Sequence, residues 1–150
     1  MRLALFQPDI PQNTGTILRL AACLGLAVDI IEPTGFRLDD TALRRAGMDY
    51  LDLAAMTRHR SLEAFLETRG GARLVLFTTA AERSHLDHAY AADDILLFGR
   101  ESAGVPEAVH ALADVRLRIP MRAEARSLNL AVSCAIAAGE ALRQVGGFPA

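Results

Sequence analysis

The sequence predicts an α/β fold in which helices flank a parallel sheet. Five short apolar runs recur along the 150 residues, and the segments between them are long enough for helices. Strands that alternate with helices favour parallel pairing, because each helix returns the chain to the edge where the next strand begins. A chain of this length with 51% hydrophobic residues can bury a core without disulfides or metal. We therefore expect a single domain over residues 1–150.

The five apolar runs are the predicted strands, each four or five residues long. They are Leu3–Phe6, Ala27–Ile31, Leu74–Phe77, Ile95–Phe98 and Val115–Ile119. A further strand near Leu51–Ala54 has only a weak pattern.

Four segments have the end signals of helices, a capping side chain at the start or glycine after the end. They are Thr16–Leu24 before Gly25, Asp40–Ala46 before Gly47, Ser61–Glu67 before Gly70, and Leu128–Val145 before Gly146. The last is the longest and repeats apolar residues at helical spacing. We expect it to pack along the sheet or against a partner.

All 16 basic residues are arginine, and 18 acidic residues bring the formal net charge to −2. The absence of lysine excludes Schiff-base chemistry and the phosphate-binding lysine of a P-loop. The near-neutral balance argues against coating of nucleic acid by bulk charge, so an anionic ligand must meet a local arginine cluster.

The first eight residues hold too short an apolar run for a signal peptide or a membrane span, which predicts a cytoplasmic protein. In that compartment Cys23 and Cys134 are expected to be reduced. Their apolar neighbours in the sequence predict that both thiols are buried.

The usual nucleotide, hydrolase and metal motifs are absent. The glycines form no G-x-G-x-x-G, and although Gly99 and Gly104 have P-loop spacing, Val105 stands where lysine is required. The same stretch is one residue too long for the G-x-S-x-G turn of a serine hydrolase. His85 and His88 are clustered without a third ligand, which favours a solvated polar surface over a metal site.

Three loops that follow predicted strands are rich in glycine, proline and hydrogen-bonding groups: Gln7–Gly15, Gly99–Pro106 and Pro120–Asn129. Ligands of open α/β sheets bind at the carboxyl ends of the strands, so these loops are the expected site. In the first loop two interpretations remain open. Asn13 and Arg19 offer an amide and a guanidinium to a phosphate or ribose; alternatively, Asn13 or Thr14 only caps a helix and Arg19 pairs with a carboxylate.

The second and third loops add further candidates. Glu101 directly follows an apolar strand, where a carboxylate can accept backbone N–H groups or hold an arginine. Ser127 precedes the last helix and is placed to cap it. The segment around the third loop contains four arginines and one glutamate. This local excess of positive charge favours phosphate binding. These residues are Arg116, Arg118, Arg122, Arg126 and Glu124.

Three ordered motifs span nearly the whole chain. They are Asn13–Arg19, Leu97–Pro106, and Arg118–Met121 with Arg126–Leu130. Together they resemble the motifs of the SPOUT RNA methyltransferases. Ile31–Pro33 and Leu43–Tyr50 are similar in particular to the small tRNA wobble-nucleotide 2'-O-methyltransferases of the TrmL/YibK type.

The resemblance implies that the C-terminal segment of the α/β domain forms a trefoil knot and that the protein is a homodimer. It also implies S-adenosylmethionine as the cofactor, bound in the knot at Phe77, Gly99, Ile119 and Ser127, with no metal. Recognition of adenine by backbone groups needs loops rather than particular side chains, which fits the absence of a nucleotide motif.

The implied activity is methyl transfer to the ribose 2'-hydroxyl of nucleotide 34 of tRNA, a cytidine or modified uridine, in leucine isoacceptors. Arg19 would act with the substrate phosphate, and Asn13 and Glu101 would shape the catalytic site. Asn129 would shape the ribose pocket with Ser127. Further contacts to tRNA or to a partner subunit are expected from Arg126, Arg44, Arg45 and Tyr50.

The chain departs from the resembled pattern at three positions. Val132 and Gly139 stand where an asparagine and a tyrosine are usual in the last helix, and Arg100 replaces a proline. Cofactor motifs do not encode the substrate, so methylation of another tRNA or rRNA position is an alternative. A non-catalytic knotted RNA-binding protein is another alternative, because the altered last helix bears on the active site or the dimer face.

Overall fold

A computed structural model of the chain describes residues 1–150 and contains six parallel strands in one sheet. The strands are β1 (Arg2–Phe6), β2 (Ala27–Ile31), β3 (Ala55–His59), β4 (Leu74–Phe77), β5 (Ile95–Phe98) and β6 (Val115–Leu117). The helices are α1 (Pro11–Leu24), α2 (Thr41–Gly47), α3 (Leu62–Thr68), α4 (Glu107–Leu112) and α5 (Leu130–Val145). Across the sheet the strands lie in the order β3-β2-β1-β5-β4-β6.

Alternate residues of the central strands feed two separate cores, because successive side chains of a strand point to opposite faces. Leu3 and Leu5 of β1 pack with α1, α2 and α5 on one face. Ala4 and Phe6 pack with α3 and α4 on the other face. Helices therefore cover both faces, and none of them combines the length and apolar character needed to cross a membrane.

The predicted parallel α/β class is confirmed, and all five predicted strands are present. The fifth is shorter than predicted and ends at Leu117. The strand predicted weakly near Leu51–Ala54 lies further along the chain. Met48–Asp52 form a 3-10 turn, and the strand that follows it, β3, begins at Ala55. Helix α4 has no counterpart in the prediction, since its six residues are too few for a clear periodic pattern.

Two helices begin at positions that differ from the prediction. Helix α1 starts at Pro11, five residues before Thr16, because proline suits the first turn, where its missing N–H is not needed. Helix α5 starts at Leu130, with the side chain of Asn129 as its cap. The expectation that Ser127 caps this helix is therefore wrong.

Two expectations about burial are also wrong. Cys134 is buried, but Cys23 is exposed near the end of α1. His85 and His88 do not form a solvated surface, because they retain only 4% and 5% of their exposure. Both pack against aromatic rings, His85 near Phe77 and His88 edge-on to Tyr90.

Candidate functional site

A cavity of about 640 Å³ opens at the carboxyl ends of the strands. It lies where the strand order reverses, between β1, which continues to β2, and the β5-β4-β6 half of the sheet. Open α/β sheets bind ligands at such switch points. Its lining comes from all three loops identified in the sequence and includes Asn13, Phe77, Gly99, Arg100, Glu101, His110, Ile119, Met121, Ser127, Leu128 and Asn129.

Two glycines allow the second loop to fold tightly beside this cavity. The backbones of Arg100 and Gly104 exchange hydrogen bonds of 3.1 and 2.9 Å. A Cβ atom on Gly99 would lie 2.5 Å from the carbonyl carbon of Gly104. Gly104 itself has a φ of +63°, which residues with a side chain rarely adopt. The turn therefore requires glycine at both positions.

A chain of hydrogen bonds links the three loops at the rim of the cavity. Asn129 Nδ2 donates to Asn13 Oδ1 at 2.9 Å, and Asn13 Nδ2 donates to Glu101 Oε1 at 3.3 Å. The other carboxylate oxygen of Glu101 accepts the backbone N–H of Asp9 at 2.9 Å. The expectation that Glu101 accepts a backbone amide is confirmed, whereas capping by Asn13 is wrong.

The carboxyl groups of Asp9 and Glu101 lie in contact with each other. Burial raises the pKa of Glu101, and the neighbouring Asp9 carboxyl raises it further. The hydrogen bond that Glu101 donates to Asp9 when protonated holds the Asp9 pKa below its usual value, aided by the hydroxyl of Ser102. Two carboxyl groups in contact resist carrying two charges, so Glu101 is the one that takes up a proton first.

The third loop and the residue before it, Ile119, present unpaired backbone donors. The N–H groups of Ile119, Met121 and Leu128 donate no hydrogen bond within the chain. All three residues line the cavity. Backbone donors that face a cavity are available to a ligand, and they bind it through polarity and shape rather than through side-chain type.

The structure brings most of the predicted site residues together but leaves Arg19 apart. Phe77, Gly99, Ile119 and Ser127 all line the cavity, as do Asn13, Glu101 and Asn129. Arg19 does not line it. Its Nη1 donates to Met48 Sδ at 3.1 Å, and its guanidinium carbon lies 5.1 Å from the centre of the Tyr50 ring. It forms no ion pair, so the alternative of a carboxylate partner is wrong.

The remaining predicted residues lie on the surface. Arg44 and Arg45 are exposed on α2, next to the turn that holds Tyr50. Arg126 is exposed in the third loop near the cavity, and Arg116, Arg118 and Arg122 are also exposed. None of these arginines forms an ion pair.

Asp9 and His110 were not among the predicted site residues, and Arg100 was predicted only as a departure from the resembled pattern. Asp9 bonds to Ser102 and contacts Glu101, and a carboxylate just past a strand was the available signal. Arg100 Nε donates to the carbonyl of Gln7 at 3.2 Å. His110 lines the cavity from α4, a helix too short to predict. No group of three His, Cys, Asp or Glu side chains is arranged to hold a metal ion.

Comparisons with known proteins agree with this geometry. The model of the SpoU rRNA Methylase family matches residues 1–139. A tRNA (cytidine(34)-2'-O)-methyltransferase of Beijerinckia indica is 61% identical over 150 residues, covering 97% of this chain and 92% of that protein. The enzyme of the same name from Escherichia coli K12 is 43% identical over 148 residues, covering 97% and 94%.

Two solved structures extend the likeness to three dimensions. One, described as giving structural insights into the 2-OH methylation of C/U34 on tRNA, has a TM-score of 0.94, 46% identity and coverage of 97% and 96%. An AdoMet-bound rRNA methyltransferase from Sinorhizobium meliloti has a TM-score of 0.88 and 29% identity, covering 96% of this chain and 56% of that one. By its fold, its motifs and its relatives, this chain belongs to the SpoU methylase family.

Proposed function

We propose that the protein transfers a methyl group from S-adenosylmethionine to the ribose 2'-hydroxyl of nucleotide 34 of tRNA, in leucine isoacceptors. The observation that carries the proposal is the bonded chain of Glu101, Asn13 and Asn129 at the rim of the cavity. The names of relatives that match nearly the full chain support the same reaction and nucleotide. A tRNA substrate also supports the predicted cytoplasmic location.

The cavity fits S-adenosylmethionine. Its volume of about 640 Å³ is within the usual range of small-molecule sites. Phe77 and Ile119 offer apolar contact, while the free backbone N–H groups of Ile119, Met121 and Leu128 offer donors to adenine or to the cofactor carboxylate. When bound, the cofactor supplies an electrophilic methyl group on a sulfonium, so no metal is needed.

The residues of the chain must then place and deprotonate the ribose hydroxyl. Asn13 and Asn129 hold each other in fixed orientations, and Glu101 fixes Asn13, so the rim presents a rigid polar wall to the ribose. Arg19 binds and orients the substrate phosphate, and an oxygen of that phosphate accepts the proton that leaves the 2'-hydroxyl as the methyl group is transferred. The exposed Arg116, Arg118, Arg122 and Arg126 form a basic surface for the tRNA backbone. Arg44 and Arg45, exposed on α2, add to the positive charge on the side of the chain where Tyr50 contacts Arg19.

We propose that the active unit is a homodimer. Val132 and Ile136 are large apolar residues exposed one turn apart on α5, and Ile10 and Leu128 are exposed at the cavity. Within one chain, Arg19 lies outside the cavity that it must serve. A two-fold dimer through α5 and the adjacent α1 would cover the apolar face and bring Arg19 of one protomer toward the cavity of its partner.

The trefoil knot is part of this proposal. Strand β6 lies at the edge of the sheet, while α5 packs against α1 and β5 nearer the centre. Directly after β6, the chain is hydrogen-bonded to the segment that follows β4. The backbone N–H of Arg118 donates to Arg83 O, and the carbonyl of Arg118 accepts the N–H of His85, each at 2.9 Å. These contacts support a course in which residues 118–129 thread the loop between β4 and β5.

The reaction is tested with methyl-labelled S-adenosylmethionine and total tRNA from cells that lack wobble 2'-O-methylation. We expect label on the ribose of nucleotide 34 of leucine tRNAs, located by nuclease digestion and mass spectrometry. Arg19→Ala is expected to lose this activity, whereas Arg37→Ala, which removes an exposed arginine paired with Asp39, serves as the control. Label at another nucleotide would favour the alternative of methylation at a different position. Cofactor binding without label would favour the non-catalytic RNA-binding alternative.

The dimer is tested by mixing two inactive variants. Arg19→Ala keeps the cavity, and Ser127→Trp blocks it from an exposed lining position while keeping Arg19. If Arg19 serves the partner's cavity, co-expressed heterodimers regain one complete site and about half of the activity of the wild-type dimer. If Arg19 acts within its own chain, no heterodimer has a complete site and activity stays absent.

A further inference from the structure

The surroundings of Arg19 are unusual for an exposed arginine. The guanidinium has two neighbours, the Met48 sulfur at 3.1 Å and the Tyr50 ring at 5.1 Å. Both neighbours are uncharged. The group is therefore held in place by contacts that leave its positive charge uncompensated.

The turn that carries these neighbours is specially shaped. Met48 has a φ of +52°, a positive value that costs free energy for a residue with a side chain. It follows Gly47, where an added Cβ would overlap the side chain of Leu51. The strained backbone at Met48 turns the chain out of α2 into the 3-10 turn, from which Tyr50 reaches the guanidinium of α1.

The choice of neighbours decides what the guanidinium can still do. A carboxylate would hold Arg19 equally well, but it would occupy its donors and cancel its attraction for phosphate. A sulfur atom is a weak acceptor, and an aromatic ring binds a cation through its face without consuming the N–H groups at the edge. Most of the donors of Arg19 thus stay available for an incoming anion.

We propose that Tyr50, supported by Met48, is a positioning residue for Arg19. Its ring fixes the plane of the guanidinium while leaving the donors at the edge for the substrate phosphate. The inference rests on the proposed function, because it assigns Tyr50 a role through Arg19. It differs from direct contact of Tyr50 with tRNA, in which the phenol hydroxyl or the ring would itself meet the nucleic acid.

The test compares two substitutions of the full-length protein. Tyr50→Phe keeps the ring, and we expect its kcat/KM for tRNA to stay within about twofold of wild type. Tyr50→Leu removes the ring, and we expect a loss of about fivefold, the upper end for an exposed cation–π contact. Affinity for S-adenosylmethionine, measured by calorimetry, should not change in either variant. Leu53→Ala, an exposed position just after the turn, is the control.

A spectroscopic measurement tests the contact independently of activity. The Nε–H resonance of Arg19, assigned by its absence in Arg19→Ala, is expected to show a ring-current shift in the wild type and in Tyr50→Phe. The shift should vanish in Tyr50→Leu. An unshifted resonance in the wild type, or a loss of kcat/KM in Tyr50→Phe equal to that in Tyr50→Leu, would overturn the inference. Full activity of Arg19→Ala, together with the expected ring-current shift in the wild type, would instead overturn the proposed catalytic role of Arg19.

Discussion

Asn129 donates a hydrogen bond to Asn13 across 2.9 Å, although the two residues are 116 positions apart. The same side chain caps α5, because its Oδ1 accepts the N–H groups of Ala131 and Val132 at 2.9 and 3.2 Å. One amide therefore serves both the start of the last helix and the rim of the cavity. A substitution can remove the bond to Asn13 and keep the helix cap.

Asn129→Asp should separate the cap from the rim. Aspartate caps a helix as well as asparagine but has no amide donor for Asn13. We expect the free energy of unfolding to stay within about 0.5 kcal/mol of wild type, while methyl transfer falls. Asn129→Ala loses both functions, and its stability should fall by about 1 kcal/mol as well. Chemical denaturation and the methylation assay measure the two effects; an active Asn129→Asp protein would show that the bond to Asn13 is dispensable.

A second prediction concerns the dependence of activity on pH. Ionised Glu101 accepts hydrogen bonds from both Asp9 and Asn13, so its protonation disturbs the rim. Because burial raises the pKa of Glu101, this loss begins at a higher pH than for an ordinary glutamate. We expect the acidic limb of the kcat profile to lie above the usual value of 4.5.

Glu101→Gln provides the matched variant for that profile. Glutamine offers one acceptor where the carboxylate offers two, so activity should be reduced at every pH. The acidic limb assigned to Glu101 should also be lost. A limb that persists unchanged in Glu101→Gln would assign the titration to another group.

The sequence predicted the architecture better than the connections within the site. Apolar runs located five strands, because a buried parallel strand must be apolar along its length. The same runs placed three polar loops at one edge of the sheet, and the cavity lies there. The bonds of Glu101 and Asn129 to Asn13 span 88 and 116 residues, and no local spacing encodes such contacts.

Arg19 is a second case in which the sequence could not predict the contacts of a site residue. Its position six residues after Asn13 indicated a shared site, yet on α1 this spacing turns the two side chains about 120° apart and separates them by about 9 Å along the axis. Asn13 consequently meets the cavity, whereas Arg19 meets Tyr50. Sequence motifs identified both residues, but only the helix geometry shows that they do not reach the same cavity within one chain.

A third prediction concerns stability in mild acid. Burial lowers the pKa of His88 from its usual 6.5, with further lowering by Arg73 and Arg83 and an opposing effect of Asp94. Folded His88 therefore stays neutral at a pH where the unfolded chain has already taken up the proton. The contribution of neutral His88 to the free energy of unfolding is complete above pH 6.5. It declines as the pH falls toward the pKa of His88 in the folded protein, by at most about 1.4 kcal/mol per pH unit.

His88→Phe removes this titration with little structural change. The side chain of His88 makes no hydrogen bond, and phenylalanine keeps an aromatic ring against Tyr90. We expect the variant to lose less stability than wild type between pH 6.5 and 5, as measured by urea denaturation. Equal slopes in the two proteins would exclude His88 as the source of the acid sensitivity.

The last prediction uses the same substitution at two helical glycines. In α1, an added Cβ on Gly15 would overlap Leu43 O and lie 2.8 Å from the Cβ of Ala46, so this glycine sets the close approach of α2. Gly15→Ala should therefore destabilise the protein by about 1–3 kcal/mol, the usual cost of overpacking.

In α5, a Cβ on Gly139 meets no atom within 4 Å of the same chain. Gly139→Ala should raise the free energy of unfolding by about 0.5–1 kcal/mol, because alanine restricts the unfolded chain and favours the helix. Thermal denaturation of both variants beside the wild type measures the difference. A destabilised Gly139→Ala protein would mean that a second copy of the chain packs against this position in the proposed dimer, where the resembled pattern has a tyrosine.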